Sequence, residues 1–397
     1  MCQFSFILRS YRTNSLITYI MELFDVAVIG SGPAGASAAY NLAKKGISTV
    51  LIEKEQLPRY KTCGGGFVFR GRRRLPFDIA EVVEREYNQI SLYFENEDIK
   101  LSAYREEPVV SMVMRDKFDH FIIKKCQDLG VVVKEGHKLT GIVFGEHLVL
   151  NTDQGDINAK MVIAGDGALS PTAKLSGWKE TRNLIPALEY EVEVSPEDFE
   201  RLSTEIRFDV DAIPQGYAWS FPKANHLSLG VASSKKTRIN LKDYYKKYLE
   251  KLEIKEVIRE EAHGFQIPVS PRTDGFYRNR VFLIGDAAGF ADPITAEGIS
   301  NALLSGELAV EAIVEANLDP QRAGEIYEAK LEESMLPEIH TGLTVSKWFY
   351  NQRMIRNFLM KKFGDQFVNS MTDVFLGNRS YPKDLLQSLK DKVKQLV

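Results

Sequence analysis

Two glycine motifs carry the residues best placed for chemistry in this 397-residue chain. Gly30-Ser31-Gly32-Pro33-Ala34-Gly35 follows the apolar run Val26-Ala27-Val28-Ile29, and Gly285-Asp286-Ala287-Ala288-Gly289 follows Val281-Phe282-Leu283-Ile284. In the first, a short strand feeds a turn where Gly30 permits a tight path and Gly32 lets main chain approach a pyrophosphate. Pro33 and Ala34 open a helix that Gly35 lets pack closely on the strand. The unpaired N–H groups and positive dipole end of that helix suit phosphate oxygens. A strand over residues 48–52 then ends at Glu53, near the ~20-residue offset of an acid that binds an adenosine ribose. That carboxylate repels a 2′-phosphate, so FAD or NAD is expected rather than NADP. Lys54, beside it, joins the cofactor-binding set.

The second motif separates the two cofactors. Asp286 falls at a strand's carboxyl end, where ligands of open α/β sheets bind. A helix is expected from about residue 296, with Gly298 and Ile299 presenting amides to the cofactor. The segment resembles the region that in many flavoproteins holds the ribityl chain through the Asp, which points to FAD. Val162-Ile163-Ala164-Gly165-Asp166-Gly167-Ala168-Leu169-Ser170 is similar to the Asp-Gly segment of flavoprotein monooxygenases and their relatives. Where many of those place an Arg soon after the Ser, the nearest basic residue here is Lys174.

The elements around these motifs are legible by period. Apolar residues at helical spacing predict a helix from Arg115 to Cys126, closing at Gly130. Relatives often place an Arg at the head of this helix near the cofactor, so Arg115 is a candidate ligand. Strands are predicted over 131–133, 139–144, 147–151 and 159–164, and Leu139 is counted with the cofactor set. Alternating β-branched and aromatic runs from about 183 to 234 predict an antiparallel sheet over the cofactor. The expected class is α/β (α+β). A Rossmann-like FAD-binding domain spans 22–182 with 262–316, an inserted substrate domain spans 183–261, and a helical region spans 317–397. Residues 1–20, with Arg9 and Arg12, lack the core and cleavage site of a signal peptide. They are expected to be a disordered or wrongly assigned extension, with Met21 as the start.

Composition narrows the classes. A formal net charge of −3 argues against bulk nucleic-acid binding. Cys2, Cys63 and Cys126 are too few and too scattered for a metal motif, a disulfide framework or a cysteine-ligated iron–sulfur cluster. No metal is expected. No run approaches the ~18 apolar residues of a spanning helix. A cytoplasmic protein is expected. Cations and large apolar residues mix over 347–362, the pattern of a helix lying on a membrane surface.

A third constellation points to a family. Pro58-Arg59-Tyr60-Lys61-Thr62-Cys63-Gly64-Gly65-Gly66 follows the ribose acid, and Gly216-Tyr217-Ala218-Trp219-Ser220-Phe221-Pro222-Lys223 comes much later. Together they resemble the geranylgeranyl reductase family over roughly residues 22–340. The resemblance implies an FAD enzyme that saturates isoprenoid double bonds on a lipid, quinone or chlorophyll precursor. Cys63, Tyr217 and Trp219 are then the catalytic candidates, with Gly64 and Gly66 as bare backbone at the cofactor. Tyr217 and Trp219 alternate on a strand and share a face, and Lys223 is expected at the surface. The chain has no second Gly-x-Gly-x-x-Gly unit, so NAD(P)H must dock transiently or a ferredoxin-like protein must supply electrons. The alternatives are a flavin-dependent monooxygenase or halogenase, an electron-transfer flavoprotein, disfavoured by the absent cluster cysteines, and a non-enzymatic carrier.

Overall fold

The computed structural model describes residues 22–94, 99–235 and 237–381. Cys2, Arg9, Arg12, Met21 and the expected extension over 1–20 lie outside the described residues, as does the end of the expected helical region from 382.

Five parallel strands form the centre of the first layer. Their order is Val281–Leu283, Gly155–Ala164, Leu23–Ile29, Thr49–Ile52 and Val132–Lys134. Val26, Ala27 and Val28 are fully buried, as expected for a parallel strand covered on both faces. A hairpin of Leu139–Phe144 and Leu148–Thr152 extends the Gly155–Ala164 strand antiparallel. The helix Pro33–Lys44 packs against the helices Arg115–Asp128 and Ile299–Glu315. Small residues set that distance: a Cβ on Gly306 would stand 2.7 Å from the Ala34 carbonyl oxygen. The Ser37 hydroxyl donates to the Leu303 carbonyl at 3.0 Å.

The second layer is a seven-stranded sheet. Its order is Val257–Pro268, Leu184–Val194, Leu227–Ser233, Gly216–Pro222, Ile206–Val210, Gln89–Phe94 and Ile99–Tyr104. All neighbours are antiparallel except Ile206–Val210 with Gln89–Phe94. The side-chain period of two gives the sheet different faces. Tyr190, Ala218, Leu229 and Val231 pack with Tyr245 and Tyr248 of the helix Leu241–Lys251. Ile185, Ala187, Tyr217, Trp219 and Ala232 form a separate cluster on the opposite face. A small sheet of Gly66–Val68, Val110–Val113 and Val83–Tyr87 follows the Gly64 loop.

Three helices, Pro320–Ser334, Leu336–Asn351 and Arg353–Leu376, complete the described chain. The last closes on the Ile99–Tyr104 strand, where a Cβ on Gly364 would meet Leu101 at 2.5 Å. The expected α/β (α+β) class is observed, with its Rossmann-like layer, antiparallel sheet and helical C-terminal region.

Candidate functional site: a glycine turn and an aromatic wall

Gly30 leaves its strand with φ +96°, and a Cβ there would overlap the Gly165 carbonyl oxygen at 2.6 Å. A Cβ on Gly35 would stand 2.0 Å from the Gly30 oxygen. Both positions need glycine for packing within the protein. Gly32 does not: its Cβ would meet only the guanidinium tips of Arg115 at 3.9 Å and Arg59 at 4.0 Å. Pro33 and Ala34 form the first turn of the helix, with Gly32 as its N-cap.

Glu53 is buried beneath this turn. Its Oε2 accepts the Ser31 N–H at 3.0 Å and the Ser31 hydroxyl at 2.5 Å, and its Oε1 accepts the Glu55 N–H at 3.0 Å. Burial raises the carboxyl's pKa, but Arg59, Ser31 and the backbone donors outweigh it and hold the group below its ordinary value. Lys54 lies apart, exposed and paired with Glu55. Leu139 is buried at the start of its strand, two residues beyond His137, whose N–H donates to the Glu53 carbonyl.

Arg115 heads its helix as expected and grips Asp119 with Nε and Nη2 at 2.8 and 2.9 Å. Arg59 reaches the same carboxylate at 3.1 Å, which fixes two guanidinium groups beside Gly32. Asp286 lies in the short helix Gly285–Ala288, with its Oδ1 3.6 Å from where a Cβ on Gly298 would stand. Among the described residues no hydrogen bond to its carboxylate is found. Gly298 caps the helix that Ile299 begins. These features fit FAD: two cations and open backbone at Gly32 suit a pyrophosphate, and a carboxylate with no hydrogen-bond donor among the described residues suits ribityl hydroxyls. Asp166 serves the protein, accepting the Ser170 hydroxyl at 2.6 Å and the Thr172 N–H at 2.9 Å. Lys174 is exposed; a buried cation near that segment is Arg182, which donates to the Ala168, Asp286 and Ala287 carbonyls.

The two halves of the third constellation, with 149 residues between them in sequence, touch. A Cβ on Gly64 would stand 2.9 Å from Phe221 and 3.0 Å from the Trp219 Nε1, and one on Gly66 would stand 3.5 Å from Phe221. Tyr217, Trp219 and Phe221 form one wall, with neighbouring ring centroids 6.1 and 6.3 Å apart. Trp219 lies over Gly230, where a Cβ would overlap the indole at 2.1 Å. Among the described residues its Nε1 is buried without a hydrogen-bond partner. The Tyr217 hydroxyl donates to the Thr295 carbonyl at 2.7 Å, which ties the wall to the loop before Gly298. Cys63 is half-buried, and its side chain faces the Arg115 guanidinium.

Lys223 corrects the sequence reading. It is fully buried, and its Nζ donates to the Gly64 carbonyl at 2.7 Å and the Val113 carbonyl at 3.0 Å. A strand ending in Pro-Lys read locally as a solvent-exposed turn; the Gly64 loop covers it. Glu189 was missed altogether. It is 1% exposed, and it accepts the Cys63 N–H at 2.7 Å and the Ser228 hydroxyl at 2.7 Å. Burial first, then the neighbouring Glu191, push its carboxyl up to about 7. The available signal was its parity with Ala187 on an alternating strand, which puts it on the wall's face.

Sequence comparison agrees with this geometry. A model of the FAD binding domain family matches residues 24–304, and the chain belongs to that family as an FAD-dependent oxidoreductase. The chain is also similar to geranylgeranyl reductases. The chloroplastic geranylgeranyl diphosphate reductase of Oryza sativa subsp. japonica is 29% identical, over 92% of this chain and 84% of that one. The digeranylgeranylglycerophospholipid reductase of Methanosarcina acetivorans is 27% identical, over 95% of each chain. The crystal structure of a geranylgeranyl bacteriochlorophyll reductase-like protein from Thermoplasma acidophilum superposes with a TM-score of 0.74 at 25% identity, covering 95% of this chain and all of that one.

Proposed function

We propose that the protein saturates carbon–carbon double bonds of a geranylgeranyl-type chain carried by a lipid, quinone or chlorophyll-type precursor. The observation that carries this reading is the contact of the Cys63–Gly66 loop with the Tyr217–Trp219–Phe221 wall. It sets bare backbone and one thiol against an apolar aromatic surface, beside the residues that fit FAD. Bound flavin, once reduced by the electron donor, would supply hydride for such a reduction, and the relatives named above are reductases of geranylgeranyl compounds.

The chain's own residues supply position, dryness and a proton. Gly32, Arg59, Arg115, Asp286 and Gly298 hold the cofactor. The wall packs along a flat prenyl chain and excludes water, which an isolated alkene requires as a poor hydride acceptor. Among the catalytic candidates, Tyr217 and Cys63 carry an ionisable proton, and Tyr217 has its hydroxyl hydrogen committed to the Thr295 carbonyl. In this reading the Cys63 thiol is the proton source. Electrons come from NAD(P)H or a ferredoxin-like protein.

A lipid-borne substrate also calls for a membrane contact. Among the described residues no helix is long and apolar enough to cross a membrane. The corner between the last two helices instead exposes Met354, Ile355 and Phe358, with Lys361 and Lys362 on the following turn. Tyr350, just before that corner, packs against the wall cluster and donates to the Ile294 carbonyl at 2.7 Å. In this reading the corner rests on the cytoplasmic face of a bilayer, and a chain enters along Tyr350.

The test is anaerobic. Flavoprotein reduced with dithionite is mixed with geranylgeranyl diphosphate or a digeranylgeranylglycerophospholipid. Flavin reoxidation, with product gaining two hydrogens per double bond, supports the reading. Flavin that stays reduced until air enters overturns it for those compounds and favours the oxygenase or halogenase alternative.

A further inference from the structure

Three consecutive glycines cannot fix their own conformation, because glycine reaches φ of either sign at little cost. Gly65 indeed sits at φ +66°. Yet Cys63, at the head of this run, must be held in one place to act on a substrate. The sheet supplies the restraint from two sides. Glu189 accepts the N–H of Cys63 at 2.7 Å, and Lys223 donates to the carbonyl of Gly64 at 2.7 Å. Both side chains are almost wholly withdrawn from solvent. One negative and one positive group thus bracket two residues of loop, each aligned with the backbone dipole it meets.

We propose that Glu189 and Lys223 are positioning residues that clamp the Cys63–Gly64 segment against the wall, and that the grip depends on ionised Glu189. Hydrogen bonds to an ionised group are roughly twice as strong as neutral ones. Protonating Glu189 therefore weakens its hold on Cys63 and removes the charge that balances Lys223.

Other groups around the carboxyl set the balance. Glu191, two residues along the same strand, opposes ionisation, while Lys223 and the donors Ser228 and Cys63 N–H favour it. His226 occupies Glu191 at 3.0 Å. His263 is the cross-strand partner of Glu189, but its ring stacks on Tyr60 at 3.9 Å. Glu261 and Tyr60 face the same space. The carboxyl therefore changes charge near neutral pH, so the grip is adjustable under ordinary conditions.

The clamp rests on the proposed function only for the role of Cys63, and its test needs no substrate. Cys126 is buried, so a Cys2→Ser background leaves Cys63 as the reactive thiol. Iodoacetamide alkylation of the flavin-loaded protein is followed from about pH 5.5 to about pH 8. At about pH 8 the Glu189→Gln protein should react about threefold faster than its parent, and Glu189→Ala faster still; at about pH 5.5 Gln and parent should converge. Lys223→Met should react faster at both. A Gln-to-parent ratio that does not change with pH overturns the proposal, as does unaltered reactivity in Glu189→Ala carrying full flavin. Should Glu189→Ala fail to fold, the isosteric Gln variant decides alone. Prenyl reduction with a pH-independent ratio removes the clamp and leaves the function standing. The expected ratio without prenyl turnover does the reverse.

Discussion

Gly64 lies against the indole edge of Trp219, so close that a Cβ would stand 3.0 Å from Nε1 and 2.9 Å from Phe221. Gly64 has no positive φ, so its backbone accepts alanine and only the wall objects. Gly64→Ala should therefore fold and bind FAD but lower turnover by about tenfold or more, as the loop lifts from the wall. Combining it with Phe221→Leu should recover part of the loss. Turnover per bound flavin checks this; additive losses in the double variant would contradict it.

Gly30, Gly32 and Gly35 should separate under substitution. Alanine at Gly30 or Gly35 meets backbone oxygens at 2.6 and 2.0 Å and should yield little folded protein. Alanine at Gly32 meets nothing closer than 3.9 Å. The stability of the flavin-free protein should then change by less than about 0.5 kcal/mol, while FAD affinity falls tenfold or more. Thermal melts and flavin titration of the Gly32→Ala protein distinguish a cofactor cradle from a structural turn.

Glu189 should weaken the fold as pH rises. Its pKa is raised from 4.5 to about 7, so the native state holds its proton more tightly than the unfolded chain. The stability tied to that proton is fully present below about pH 4.5 and is lost as pH climbs through about 7. The shift corresponds to an upper bound of about 3 kcal/mol. Glu189→Gln should therefore raise Tm at about pH 8 and leave it unchanged near about pH 4. A variant that gains stability while its loop loosens would show that the carboxylate serves something other than folding.

The Met354 corner should matter only where substrate is in a membrane. Met354 is 87% exposed and Phe358 55%, and replacing both with Asp removes no core packing. The double variant should float less with anionic vesicles, lose activity on vesicle-borne substrate, and keep it on detergent-dispersed substrate. Equal flotation of the two proteins would count against a bilayer contact.

How far the sequence was readable depends on the distance over which each residue acts. Gly30, Glu53 and Gly285 announced themselves because a strand, a turn and a helix follow one another in sequence. The helix from Arg115 and the alternation of Tyr217 with Trp219 were equally local. Lys223 was not legible and Glu189 was marked only by its parity with Ala187, because the loop that buries them lies more than 120 residues earlier. Nothing local marked a charged side chain at a strand end as buried. The strands Gln89–Phe94 and Ile99–Tyr104 alternate plainly enough, yet no local signal says which sheet a strand joins. Arg59 passed as one cation in a basic run, and only Asp119 reveals where it points.

The separation of Gly30 from Asp286 and Gly298 has a consequence for biosynthesis. The strand leading into Gly30 is the third of five in its layer, and Val281–Leu283, two places away beyond Gly155–Ala164, is made last of the five. A ribosome adding about 5–20 residues per second takes tens of seconds to travel between them. Through that interval the nascent chain carries a dinucleotide turn with no partner for the far end of the ligand. Flavin capture must therefore come late, and a chain broken off before residue 281 leaves the ribosome with its central sheet incomplete, a natural substrate for proteolysis.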